Sequence, residues 1–136
     1  MMPEKVLLVD DDEITHIIGK RVFKVTSFAN EILTLTNGKE AIDYFDFLVN
    51  GNKDKKESAP DVVFLDINMP LMSGWDFLED FTKLYYSHFP SINIFMLSSS
   101  VDPEDIERSK NYSSVKDYIV KPLTKETIEH VLLKIK

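Results

Sequence analysis

The stretch PDVVFLDINMP, residues 60–70, decides how the rest of this chain is read. Val62, Val63, Phe64 and Leu65 run without a polar break and end on one carboxylate, Asp66. A strand with one wet face alternates apolar and polar residues, whereas an unbroken run predicts a strand covered on both faces, as in a parallel sheet. Such a strand delivers Asp66 to its carboxyl end.

The same grammar repeats outward from it. KVLLV (5–9) is a short β-rich run that ends on Asp10, Asp11 and Asp12. EILTLT (31–36) reads as a second strand closed by Asn37-Gly38, NIFML (93–97) as a fourth and DYIV (117–120) as a fifth. Helical spacing fills the gaps. Ile14, Ile17, Ile18, Arg21, Val22 and Val25 predict one apolar stripe on a first helix, and Ala41, Ile42, Phe45, Leu48 and Val49 mark a second that stops near Asn50-Gly51. Trp75, Leu78, Phe81, Leu84 and Tyr85 line a third. Asp102-Pro103 supplies an N-cap and a first-position proline for a short fourth. Ile128, Val131, Leu132 and Ile135 give the last helix its buried face. Strands that alternate with crossover helices run parallel, so the expected class is α/β, a doubly wound five-stranded parallel sheet flanked by five helices. At 136 residues this is one domain, and the only linker-like stretch is 50–60.

Composition narrows the function. The net charge is −7, and the only basic cluster, NKDKKE, contains its own acids, so direct nucleic-acid binding is not expected. The chain has no cysteine, no apolar run long enough for a membrane span, and an opening apolar run too short for a signal peptide, so a soluble, cytoplasmic protein is expected.

Sites on open parallel sheets form at the carboxyl ends of the strands. Those ends carry Asp10, Asp11 and Asp12, then Asp66, then Ser98, Ser99 and Ser100, then Lys121-Pro122. Several carboxylates in one place repel one another, a conflict that a hard divalent cation such as Mg²⁺ removes. A cation, a lysine and a hydroxyl donor together make a clamp for a phosphoryl group, and a carboxylate inside the clamp can be the nucleophile. Asp66, alone at the end of the most buried strand, is the candidate.

VLLVDDDE, VVFLDINMPLMSGWDFL, IFMLSSS and DYIVKPL together resemble the receiver domain of two-component response regulators, in order and at the family's spacings. The resemblance covers residues 1–136 as one receiver domain of the stand-alone type, and implies a flavodoxin/CheY-like strand order of 2-1-3-4-5. It implies that Asp66 accepts a phosphoryl group from a partner histidine kinase or phosphotransfer protein. Asp10, Asp11, Asp66 and the backbone carbonyl of Asn68 would hold Mg²⁺. Lys121 would pair first with Asp66 and then with the phosphoryl oxygens. Ser98 would be the switch hydroxyl and Tyr118 the switch aromatic, rotating inward and reshaping a surface built from the fourth helix, fifth strand and fifth helix. That surface would meet a downstream protein or form a homodimer. The domain would be no enzyme in the ordinary sense but would assist its own phosphorylation and dephosphorylation, with Asn68 and Ser100 bordering the attacking water. A cis bond is expected at Lys121-Pro122. Ser98 stands where threonine is commoner, Ser99 where alanine is usual, and NGNKDKKESA is an insertion that resembles receivers partnering phytochrome-like kinases.

Duller readings compete. Asp12 fits a helix cap, and Gly74 a tight turn before the third helix. His16, His88 and His130 fit no metal spacing and read as surface residues. A Mg²⁺-dependent phosphatase of the haloacid dehalogenase type also uses an aspartate nucleophile, but needs a second aspartate where this chain has Asn68. A flavin or nucleotide binder needs a glycine-rich loop after the first strand, which four glycines in the whole chain do not supply.

Overall fold

The computed structural model describes residues 2–135. Five parallel strands, β1 (Lys5–Val9), β2 (Glu31–Leu35), β3 (Val62–Leu65), β4 (Asn93–Ser98) and β5 (Val115–Val120), form one sheet in the order β2-β1-β3-β4-β5. Helices α1 (Glu13–Val25), α2 (Gly38–Asp46), α3 (Gly74–Leu84) and α4 (Pro103–Ser109) make the crossovers, and α5 (Lys125–Lys134) follows the last strand. The last turn of α2 relaxes into a π-helical segment, Phe47–Gly51.

Alternation along the buried strands sends side chains to two separate cores. Leu7, Val9, Val63, Leu65, Ile94 and Met96 face Phe45, Phe77, Leu78 and Phe81 of α2 and α3. Val6, Leu8, Val62, Phe64, Phe95 and Leu97 face Phe23 of α1 and Ile128 and Val131 of α5. A column of rings, Phe28–Phe23–Phe64–Phe95, runs through the second core with neighbouring centroids 5.5–5.7 Å apart. Burying each such ring contributes on the order of 2–3 kcal/mol, which locks the centre of the sheet while its edges stay thinly covered.

The apolar stripe expected on α1 meets the sheet only along its edge, where Val22 packs half-buried against the second core. Thr15, Gly19 and Phe23 face the sheet, whereas Ile14 and Ile17 are 64% and 62% exposed and Val25 is exposed as well. Gly19 decides the face: a Cβ there would stand 2.8 Å from Leu8 Cδ2, so the helix packs on its smallest residue. On α3, likewise, Leu84 points to solvent and Phe77, outside the expected stripe, is fully buried. β5 begins two residues earlier than its sequence suggested, because Ile94 pairs with Val115 and a bulge follows.

Several local expectations hold. Asp12 caps α1 through Ile14 N–H, and Asp102 caps α4 with Pro103 in its first turn. The Lys121-Pro122 bond is cis. Asn37, read as closing β2, is also the cap of α2. Ser73 and Asp76 form a reciprocal capping box that starts α3 directly after the Asp66 loop.

The 50–60 insertion is tied down rather than loose. Lys5, 1% exposed at the start of β1, contacts Glu57, donates to Ser58 O at 2.9 Å and lies 5.3 Å from the centre of the Tyr44 ring. Burial works against its charge, but Glu57 and Tyr44 together outweigh it and hold the lysine above its ordinary pKa. Among the described residues no helix is long and apolar enough to cross a membrane.

Candidate functional site

The sheet ladder places the two central acids. Asp10 N–H donates to Leu35 O and Asp66 N–H to Val9 O, both at 3.0 Å, so each acid is the first residue past a paired strand. Asp10 is fully buried and Asp66 nearly so, while Asp11 is exposed at the rim. One carboxylate oxygen from each of Asp10, Asp11 and Asp66 lies within 4.8 Å of the other two. These three are the expected acidic set.

Lys121 reaches the same point from the end of β5. Its Nζ lies 2.8 Å from Asp10 Oδ2 and 3.6 Å from Asp66 Oδ2, so the ammonium favours Asp10 over the expected partner Asp66. The contact with Asp10 is one of charge: Oδ2 is buried with no aligned hydrogen-bond donor. Asp10 Oδ1 accepts from Asp12 N–H at 2.8 Å, and Asp66 Oδ1 accepts from Ile67 N–H at 2.8 Å. Each acid thus keeps one oxygen bonded to backbone and turns the other toward the shared space.

The electrostatics follow from that crowding. Burial, then the charges of Asp10 and Asp11, push the Asp66 carboxyl up from 3.8 to about 6, against the pull of Lys121 and the Ile67 N–H. Burial opposes the charge of Lys121 too, but Asp10, Asp66 and Asp12 prevail and raise its pKa. A divalent cation fits this donor set: three hard oxygens within 4.8 Å of one another, with negative charge that the single Lys121 ammonium does not balance. Asn68, two residues past Asp66, is exposed on the same loop.

Glycine is required at Gly74, though for a different reason from the one expected. The residue has no positive φ; instead a Cβ would lie 2.2 Å from Asp66 O and 3.0 Å from Ile67 Cα. Gly74 N–H also donates to Ile67 O at 2.8 Å, which pins α3 against the acid loop. Gly74→Ala must therefore move backbone, and we expect a loss of about 1–3 kcal/mol in chemical denaturation. An unchanged midpoint would show that the loop and helix are not rigidly joined.

Ser98 is buried at the end of β4. Its carbonyl accepts Lys121 N–H at 2.8 Å, and its Oγ accepts Ser100 N–H at 3.1 Å. Tyr118 is half-buried against the α2–α3 core, and its hydroxyl donates to Ser100 O at 2.9 Å, so the ring already occupies a packed position. The Ser100 hydroxyl is turned away into α4, where it donates to Asp105 Oδ2 at 2.8 Å and accepts Asp102 N–H at 3.2 Å.

Two histidines do more than sit on the surface. His16 Nε2 lies 2.5 Å from Asp10 O, bracing the acid loop from α1, and His130 Nε2 lies 2.7 Å from Asp117 Oδ2 between α5 and β5. The first was open to sequence reasoning, since His16 stands one helical turn after the Asp12 cap and so on the face above the loop. Asp105 carried no signal of its own: an acid in a first turn ordinarily answers the helix dipole.

Comparison with known proteins agrees with this geometry. A family model for the response regulator receiver domain matches residues 6–133. The chain is 30% identical over 136 residues to the chemotaxis protein CheY of Thermotoga maritima, covering 98% of each chain. It is 29% identical to the probable methanogenesis regulatory protein FilR2 of Methanothrix harundinacea, covering 98% of this chain and 82% of that one. It spans only about half the length of several other curated relatives, 53% in one case. A two-component response regulator from Cytophaga hutchinsonii superposes with a TM-score of 0.87 at 29% identity, over 99% of this chain and 98% of that one. The chain belongs to the response regulator receiver domain family.

Proposed function

We propose that residues 1–136 act as a receiver domain that takes a phosphoryl group on Asp66 and passes the change through the α4-β5-α5 face to a protein partner. The observation that carries this is the meeting of Asp10, Asp11 and Asp66 within 4.8 Å, with the Lys121 ammonium against two of them. The donor is a histidine kinase or phosphotransfer protein, and the site of action the cytoplasm.

In the transfer, an Asp66 carboxylate oxygen attacks the phosphorus of a phosphohistidine. The P–N bond breaks, an acyl phosphate P–O bond forms, and the imidazole leaves with the electron pair. Asp10, Asp11, Asp66 and the Asn68 carbonyl would hold Mg²⁺, which would supply positive charge for the phosphoryl oxygens. Lys121 supplies a positive charge opposite and Ser98 a hydroxyl donor. Water reverses the modification by attacking phosphorus and releasing the Asp66 carboxylate. The domain assists both steps on itself. Ser98 then draws toward the phosphoryl group, and Tyr118 and α4 follow. The face so altered meets a downstream protein or a second copy of the chain.

Incubation with acetyl phosphate and Mg²⁺, read by intact-protein mass, tests the reading: one phosphoryl group is expected, and none with a chelator. Labelling unaffected by the chelator would sink the metal-assisted mechanism.

The exposed Ile14 and Ile17 on α1, together with the small apolar hollow between Ile18, Pro122 and Leu123, flank the acids. An apolar patch beside a reactive group suits a docking donor protein. Ile14→Asp with Ile17→Asp is expected to slow transfer from the cognate donor by tenfold or more while leaving the acetyl phosphate reaction intact. An equal fall in both reactions would place the defect in the site itself.

A further inference from the structure

The Ser100 peptide is where three parts of the switch meet. Its N–H donates to Ser98 Oγ at 3.1 Å, its carbonyl accepts the Tyr118 hydroxyl at 2.9 Å, and its own hydroxyl donates to Asp105 Oδ2 at 2.8 Å. That hydroxyl also accepts Asp102 N–H at 3.2 Å, and Asp102 in turn caps α4 through Glu104 N–H at 3.0 Å. One residue therefore bonds to the buried alcohol at the end of β4, the half-buried aromatic of β5 and the first turn of α4. Every hydrogen-bonding group that Ser100 carries is used.

We propose that the Ser100 hydroxyl and the Asp105 carboxylate are a positioning pair that fastens α4 to the switch loop, so that a displacement of Ser98 moves α4 and Tyr118 together. The physical reason is the length and charge of the link. The bond to Asp105 has an ionised acceptor and is half-buried, which makes it stronger than a neutral pair and better able to transmit movement than a solvated loop. α4 is seven residues long and only Ser109 is fully buried, so its packing alone holds it weakly. Arg108, 4.6 Å from the centre of the Trp75 ring, ties the helix to α3 and not to the switch loop. The Ser109 hydroxyl bonds Ile106 O at 2.6 Å, within α4 itself, and so fastens the helix to nothing else. Without the Ser100–Asp105 link, Ser98 could reorient while α4 stayed where it is.

This inference rests on the receiver reading, and its test separates the two. Backbone amide spectra are recorded for the wild type and for Ser100→Ala, Asp105→Ala and Ser100→Thr, each with and without beryllofluoride and Mg²⁺ as a stand-in for the phosphoryl group. Acetyl phosphate labelling of Asp66 is measured beside them. In the wild type, shifts are expected at Ile67–Asn68 and through residues 104–109. In both alanine variants the shifts at 104–109 fall at least twofold, while in Asp105→Ala the shifts at 67–68 and the labelling persist. Ser100→Thr, which keeps the hydroxyl, restores the shifts at 104–109. Undiminished shifts at 104–109 in both alanine variants would overturn the pair's role. Loss of labelling in Asp105→Ala would overturn it too, by placing the carboxylate in the phosphoryl chemistry. Failure of the wild type to label at all would overturn the receiver reading and the inference with it.

Discussion

Asp66→Asn should take up no phosphoryl group from acetyl phosphate under conditions that label the wild type. The substitution keeps the shape of the side chain and an acceptor for the Ile67 N–H, now held at 2.8 Å, but removes the anionic oxygen that attacks phosphorus in the proposed transfer. Neither neighbour replaces it well. Asp10 has one oxygen bonded to Asp12 N–H and the other buried against Lys121, so it has no free path to a donor. Asp11 is exposed and offers an oxygen to the same space, and it is the one acid that could be labelled in its place. Peptide mapping after labelling decides between them. Equal incorporation in wild type and Asp66→Asn, mapped to Asp11, would move the acceptor and leave Asp66 a metal ligand. The same variant reports on the cation. Saturating the wild type at about 100 times the dissociation constant should stabilise it by about 2.7 kcal/mol, and the variant should gain clearly less.

The chemistry of this chain was easier to read than its helices, for a physical reason. A strand buried on both faces has no choice of face, so VVFL and KVLLV located Asp66 and Asp10 almost to the residue. A helix does choose, and hydrophobicity alone does not make the choice. α1 offers two candidate faces, and the sheet takes the one with Gly19 because a small residue lets the backbones approach. Ile14 and Ile17 are thereby left outside, where a partner can meet them. The bonds among side chains were out of reach of spacing arguments. That Lys121 prefers Asp10 to Asp66, and that Ser100 turns into α4, depend on distances of an ångström or less. The four motifs pointed to one meeting place for Asp10, Asp11, Asp66 and Lys121, but not to the order in which they pair.

Divalent-cation affinity should fall as the medium is acidified through about pH 6, well above the range of an ordinary aspartate. The Asp66 carboxyl is raised from 3.8 to about 6 by burial and by Asp10 and Asp11, and a proton there competes with the metal for the same oxygen. Affinity should be flat above about pH 7 and fall by about tenfold for each pH unit below 6, as expected for one competing proton. Asp66→Asn removes that titration, so its weaker binding should show no step near 6. The metal-free protein gives an independent reading. A carboxyl whose folded pKa exceeds its unfolded one binds the extra proton in the folded state, so Asp66 lowers stability as pH rises from about 4 to about 6. Above that window the ionised group remains a liability of about 1–2 kcal/mol after allowance for screening by water, and Asp66→Asn should recover it. Added Mg²⁺ should cancel the same penalty in the wild type, because it supplies the positive charge that Lys121 alone does not. If the affinity of the wild type instead stays constant down to pH 4, the three carboxylates are not sharing one charge conflict. The clamp would then have to be assembled by the incoming phosphoryl donor rather than built into the folded chain.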